Sequence, residues 1–158
     1  RMTDMRDLYQ DVILAHNKKP KNFGRLEACT HEAHGHNPLC GDDYEVMAIV
    51  EDGVVRDLSF DGSGCAISKA AASMMTARVK GKPVGEALGL VADFRDMMVG
   101  EASDETKEQL GHLRVFEGVA QLPNRIKCAV LPWHTLNAAL LGSEGASTEG
   151  ENDEWEGA

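Results

Sequence analysis

The sequence predicts an α+β domain: a small antiparallel β-sheet packed against several α-helices. Three observations predict it. Residues 43–50, Asp-Tyr-Glu-Val-Met-Ala-Ile-Val, alternate and are rich in β-formers. Residues 54–60, Val-Val-Arg-Asp-Leu-Ser-Phe, form a second such run, and Glu51-Asp52-Gly53 between them is a turn, so the pair reads as a hairpin. Segments with apolar residues at helical spacing lie before and after it. A block of strands followed by a block of helices implies α+β.

Each element has its own signal. Met5, Leu8, Val12 and Ala15, with Tyr9 and Ile13 alongside, place a helix over residues 4–17. Pro20 and Gly24 then punctuate the chain. Residues 25–36 read as a strand leading into a loop, which makes Cys29 a half-buried strand cysteine. The hairpin follows, closed by Asp61-Gly62-Ser63-Gly64. The segment from Cys65 is a helix with Ile67, Ala70, Ala71, Met74 and Met75 on one face, stopped by Gly81 and Pro83. A further helix covers Val84–Met98, and the polar residues 101–109 form a loop or a short helix. Pro132 is tolerated in a first turn, so the last helix is expected to start near Cys128 and run to about Leu141. The paired methionines, Met74 with Met75 and Met97 with Met98, read as core and gap-fillers.

The chain has 158 residues, enough for one domain with a real core. Its net charge of −10 argues against general nucleic-acid binding, since little is available to neutralise phosphates. No apolar run is long enough to span a bilayer, and the charged N-terminal segment has no signal-peptide core, so a cytoplasmic location is expected, with thiols reduced. Ser143–Ala158 carries six acidic and no basic residues. The expected organisation is therefore a domain over 1–142 and an acidic, disordered, solubilising tail over 143–158, with Trp155 as its one docking feature.

Three of the four cysteines sit where the chain reverses. Cys40 follows Asn37-Pro38-Leu39 and precedes Gly41 and Asp42. Cys65 follows Gly62 and Gly64 and opens a helix, and Cys128 is read as standing near a helix start. A helix N-terminus stabilises a thiolate. Residues i and i+2 of an extended chain face one side, so Cys40 and Asp42 can converge on one point. With Cys65 and Cys128 they make three sulfurs and one oxygen, the donor number of tetrahedral zinc. A carboxylate in place of a fourth thiolate is a more weakly held ligand on a thiophilic metal. Spacing alone does not establish the site, because the cysteines are scattered and no CxxC pair exists.

Three blocks sharpen the reading: His36-Asn37-Pro38-Leu39-Cys40-Gly41-Asp42-Asp43, Gly62-Ser63-Gly64-Cys65-Ala66-Ile67-Ser68, and Leu122-Pro123-Asn124-Arg125-Ile126-Lys127-Cys128. In this order they resemble the SufU branch of the IscU/NifU-N iron–sulfur cluster assembly family, over about Leu8 to Leu141. The resemblance implies that Cys40, Asp42 (not Asp43), Cys65 and Cys128 bind zinc, and that the chain accepts sulfur from a PLP-dependent, SufS-like cysteine desulfurase for downstream iron–sulfur scaffold proteins. A histidine of the desulfurase would replace one zinc ligand, freeing Cys40 to take the persulfide sulfur, with Arg125 and Lys127 in support. Lys127 stands where IscU-type members have a histidine, and Leu122–Lys127 replaces their chaperone-read Leu-Pro-Pro-Val-Lys segment. Both departures point away from a scaffold.

Two alternatives stay open at this stage: a scaffold that builds a [2Fe–2S] cluster on the same ligands, and a zinc-stabilised, non-catalytic interaction module. His31, His34 and His36 read as solvated loop histidines with an accessory metal site as the alternative, and His134 as packed or exposed rather than a ligand.

Overall fold

A computed structural model of the chain describes residues 5–142 and 145–147. The elements follow in the order α1 (Met5–Lys18), β1 (His31–Asn37), β2 (Asp42–Glu51), β3 (Val54–Ser63), α2 (Ala66–Val79), α3 (Val84–Met98), α4 (Asp104–Leu110), a 3₁₀ segment (Gly111–Gln121), α5 (Pro123–Leu140) and β4 (Gly145–Ser147). The α+β class is as the sequence predicts. Sheet order is β3-β2-β1-β4, with β1–β2 and β2–β3 antiparallel and β4 parallel to β1.

The β2–β3 hairpin turns on Asp52-Gly53, both at positive φ (53° and 75°). That is a type I′ turn, whose twist matches the strands it joins. Along β1 burial alternates strictly: Ala33, Gly35 and Asn37 face inward, while Glu32, His34 and His36 face out. In β2, Asp42 and Tyr44 face inward and Asp43 outward. α5 packs on β1 and β2, α2 on β3 and on α5, and α1 and α3 pack behind them. Tyr44, Phe60, Met75, Phe94, Phe116, Trp133 and Leu136 fill the core between these layers. Trp133 stacks on Phe94, with ring centroids 5.0 Å apart. No helix among the described residues is long and apolar enough to cross a membrane.

Four expectations are corrected. The strand and loop before Asn37 come in the reverse order: residues 25–30 are irregular and the strand is His31–Asn37. Cys29 is therefore in the loop, where its Sγ donates to Glu32 Oε1 at 3.4 Å. The three histidines are on a strand, because pairing with the strongly β-forming β2 recruits a segment poor in β-branched residues. α5 begins at Pro123, not near Cys128, so Cys128 stands in the second turn and Pro132 lies inside the helix. Pro132 has no N–H, which leaves the Cys128 carbonyl without its intrahelical donor. Residues 145–147, within the segment expected to be a disordered tail, form β4. The rest of that tail, Trp155 included, lies outside the described residues.

Candidate metal centre

β1 and β2 are joined by Pro38-Leu39-Cys40-Gly41. The Cys40 and Gly41 N–H groups both donate to the Asn37 carbonyl, at 3.3 and 2.8 Å, and the Leu39 N–H donates to Asn37 Oδ1 at 3.3 Å. Gly41 takes φ +74° to complete the reversal. This loop holds Cys40, half-exposed, at the tip of the hairpin. Cys128, fully buried on α5, reaches the same point: its Sγ is 3.3 Å from Cys40 Sγ. Asp42 enters from the first residue of β2, wholly buried. One ligand atom from each of Cys40, Asp42 and Cys128 lies within 4.8 Å of the other two.

Cys65 is drawn into the cluster less tightly. It is the N-cap of α2, and its Sγ accepts from the Ser68 N–H at 3.4 Å. Interaction with Cys128 pulls the Cys65 thiol down to about 6, against burial and helped by the Ser68 N–H. The same contact with Cys65, together with burial, pushes the Cys128 thiol up. The helix N-terminus thus acts on Cys65 as expected and does not act on Cys128, one turn further in.

The buried Asp42 carboxylate is held on both oxygens. Oδ1 accepts from the Cys65 N–H at 2.8 Å and from Ser68 Oγ at 3.1 Å. Oδ2 accepts from Asn37 Nδ2 at 3.2 Å. With the Ser68 proton on Asp42, Tyr44 donates its hydroxyl to Ser68 Oγ at 3.1 Å. Burial raises the Tyr44 pKa to about 12, so the phenol remains a donor. Asn37 Nδ2 also points at Cys128 Sγ, 3.7 Å away. Gly64 makes room for this network: a Cβ there would come 2.6 Å from both Asp42 Oδ1 and Tyr44 Oη. Asn37, Tyr44 and Ser68 were missed as functional residues by sequence reasoning, although all three stand in or beside the blocks that carry the cysteines.

Arg125, exposed on the first turn of α5, has Nη1 3.9 Å from Cys40 Sγ and 4.0 Å from Cys128 Sγ. The contact with Cys128 raises the guanidinium pKa further. Lys127 follows on the same helix, half-buried. His134 is buried on α5, as expected of a packed residue.

The donor set suits a tetrahedral thiophilic ion. Zinc–sulfur bonds of about 2.3 Å place tetrahedral sulfurs about 3.8 Å apart, a spacing that a small loop adjustment reaches from the observed Cys40–Cys128 contact. Asp42, fixed through Oδ1, offers Oδ2 as a single oxygen. Cys65 stands outside this close group, with its sulfur on the α2 cap.

Comparison with known proteins settles the lineage. Residues 8–129 match the family model of the NifU-like N-terminal domain. The chain belongs to that family. Within it, the chain is 39% identical over 140 residues to the zinc-dependent sulfurtransferase SufU of Bacillus subtilis, covering 89% of this chain and 94% of that protein. It is 37% identical over 145 residues to the iron–sulfur cluster assembly scaffold protein IscU of Streptococcus pyogenes, covering 92% and 90%. A crystal structure from Fervidobacterium islandicum, assigned as a cluster assembly scaffold protein for the SUF system, superposes with a TM-score of 0.80. It is 33% identical and covers 85% of this chain and 98% of that one. This NifU-like fold is the SufU/IscU-like α+β fold that the sequence blocks imply.

Proposed function

We propose that this chain is a zinc-dependent sulfur acceptor for iron–sulfur cluster assembly, taking persulfide sulfur from a PLP-dependent cysteine desulfurase and passing it toward downstream iron–sulfur scaffold proteins. The observation that carries the reading is the placement of Cys40. It is half-exposed at a hairpin tip, beside a buried thiol at 3.3 Å and a guanidinium at 3.9 Å. The likeness to the Bacillus subtilis sulfurtransferase supports it.

Cys40, Asp42, Cys65 and Cys128 would hold the zinc. Bound zinc would keep the thiols ionised at neutral pH and offset the repulsion among them. The Cys40 thiolate attacks the outer sulfur of the donor's persulfide. A sulfur–sulfur bond forms on Cys40 as the donor's breaks; the donor cysteine leaves with the bonding pair and takes a proton from water. No net oxidation occurs. Arg125 stabilises negative charge as it moves between sulfurs, and Lys127 adds a second cation on the same helical end. Leu39, 72% exposed beside Cys40, gives the donor an apolar surface to rest on.

The test mixes the chain with a cysteine desulfurase and free cysteine under reducing-agent-free conditions. The expected result is the mass of one added sulfur atom on the Cys40 peptide, and its loss, together with loss of desulfurase stimulation, in Cys40→Ala. Full stimulation by Cys40→Ala contradicts the role. The identity to the Streptococcus pyogenes scaffold protein favours a second reading, assembly of a [2Fe–2S] cluster on the same ligands. A brown protein with iron and labile sulfide, purified without added metal, would favour it. A colourless protein with about one zinc per chain favours sulfur transfer, as expected of a single four-donor site.

A further inference from the structure

The strand parity that turns Asp42 inward turns Asp43 outward, onto the exposed face of the sheet. His34 and His36 share that face from β1. In the register, His36 stands opposite Asp43, and His34 opposite Glu45. Both imidazoles turn to the same carboxylate. His34 Nε2 is 2.6 Å from Asp43 Oδ1, and His36 Nδ1 is 3.7 Å from Asp43 Oδ2. All three side chains are about half-exposed.

We propose that His34, His36 and Asp43 form a second site, on the sheet surface, for a divalent transition metal, distinct from the thiolate centre. Two imidazoles at i and i+2 of one strand lie about 7 Å apart at the backbone, with the facing strand about 5 Å away. As they stand, the three do not yet present ligand atoms all within 4.8 Å of one another, as Cys40, Asp42 and Cys128 do. The two rings now rest on the carboxylate, and rotation about exposed side-chain bonds brings all three onto one point. The field favours a cation: His34, Asp43, Glu45 and Asp61 line one open depression. The nearby Arg25 is engaged by Glu32 at 2.9 Å and Glu45 at 3.2 Å. Two imidazoles and a carboxylate are borderline donors, suited to nickel, cobalt, zinc or ferrous ions, whereas the interior centre offers thiolates. The two centres lie on opposite faces of β2 and differ in ligand softness. The site does not depend on sulfur transfer and stands or falls separately from it.

The test titrates Ni²⁺ into untagged protein already loaded with zinc and freed of excess metal, by calorimetry, with zinc release followed by a chromogenic chelator. A further equivalent of Ni²⁺ is expected to bind without releasing zinc. Single His34→Ala or His36→Ala variants should weaken it by about tenfold or more, since loss of even an outer-shell partner costs about that much. The double variant should abolish it, and Asp43→Asn should weaken it at unchanged zinc content. In NMR spectra Ni²⁺ should broaden the His34 and His36 imidazole signals and leave His112 sharp. No binding beyond zinc, or binding unchanged in the double variant, overturns the proposal and reduces the cluster to an exposed His–Asp ion pair.

Discussion

Asp42 does its work through residues that never touch a substrate. Ser68 ties its Oδ1 to Tyr44, and Asn37 ties its Oδ2 to Cys128. Ser68→Ala removes the hydroxyl between two buried polar groups and leaves Tyr44 Oη unpaired. The variant should lose about 1–3 kcal/mol of stability, measured by denaturant unfolding. It should also lose about 10–100-fold in metal affinity, measured by chelator competition. Tyr44→Phe keeps the Ser68–Asp42 bond and should hold metal nearly as well as the unaltered chain. Three of the four expected ligands, Cys40, Asp42 and Cys128, come together as their sequence blocks suggest, and strand parity turns Asp42 rather than Asp43 inward. The supporting shell was not legible, because the partnership of Asn37, Tyr44 and Ser68 exists only once β1, β2 and α2 meet. The tighter grouping of Cys40, Asp42 and Cys128, with Cys65 set apart as a helix cap, was equally invisible to spacing.

Among the elements, those with strong local signals were read closely. Val84–Met98 forms α3 with the expected bounds, and Asp52-Gly53 makes the hairpin. One segment was left without a reading, and another was misplaced. Gly111–Gln121 buries Leu113, Val115, Phe116 and Val119 in a 3₁₀ path of i to i+3 bonds. Pro132 suggested a late start for α5, yet Pro123 occupies the first turn where proline is at home. The contact between α1 and α2 carries a pH dependence. His16 Nδ1 lies 2.7 Å from Ser73 Oγ, and burial, followed by the charge of Lys21, lowers the imidazole pKa below its usual 6.5. The folded state therefore binds this proton more weakly than the unfolded chain. Its contribution is fully present above pH 6.5 and is lost as pH falls from there through the folded value. Melting temperatures of the unaltered chain should fall between pH 7 and pH 5 more steeply than those of His16→Gln. Parallel slopes would contradict the assignment.

For the molecule as a whole, the metal centre sits at one end of a core that does not need it. The sheet, α2, α3 and α5 bury Phe60, Phe94, Phe116, Trp133 and their neighbours independently of the cysteines. Chelation should therefore lower the melting temperature and loosen residues 37–41 while helical and strand content, followed by circular dichroism, persists. Collapse of the secondary structure on chelation would instead favour a module whose metal only holds the fold. The central claim is that Cys40, Asp42, Cys65 and Cys128 share one zinc ion, and X-ray absorption at the zinc edge of the protein as purified tests it most directly. The account predicts three sulfur scatterers at about 2.3 Å and one oxygen at about 2.0–2.2 Å, with a sulfur lost in Cys40→Ala. A zinc shell without sulfur, or one unchanged by Cys40→Ala, would contradict it.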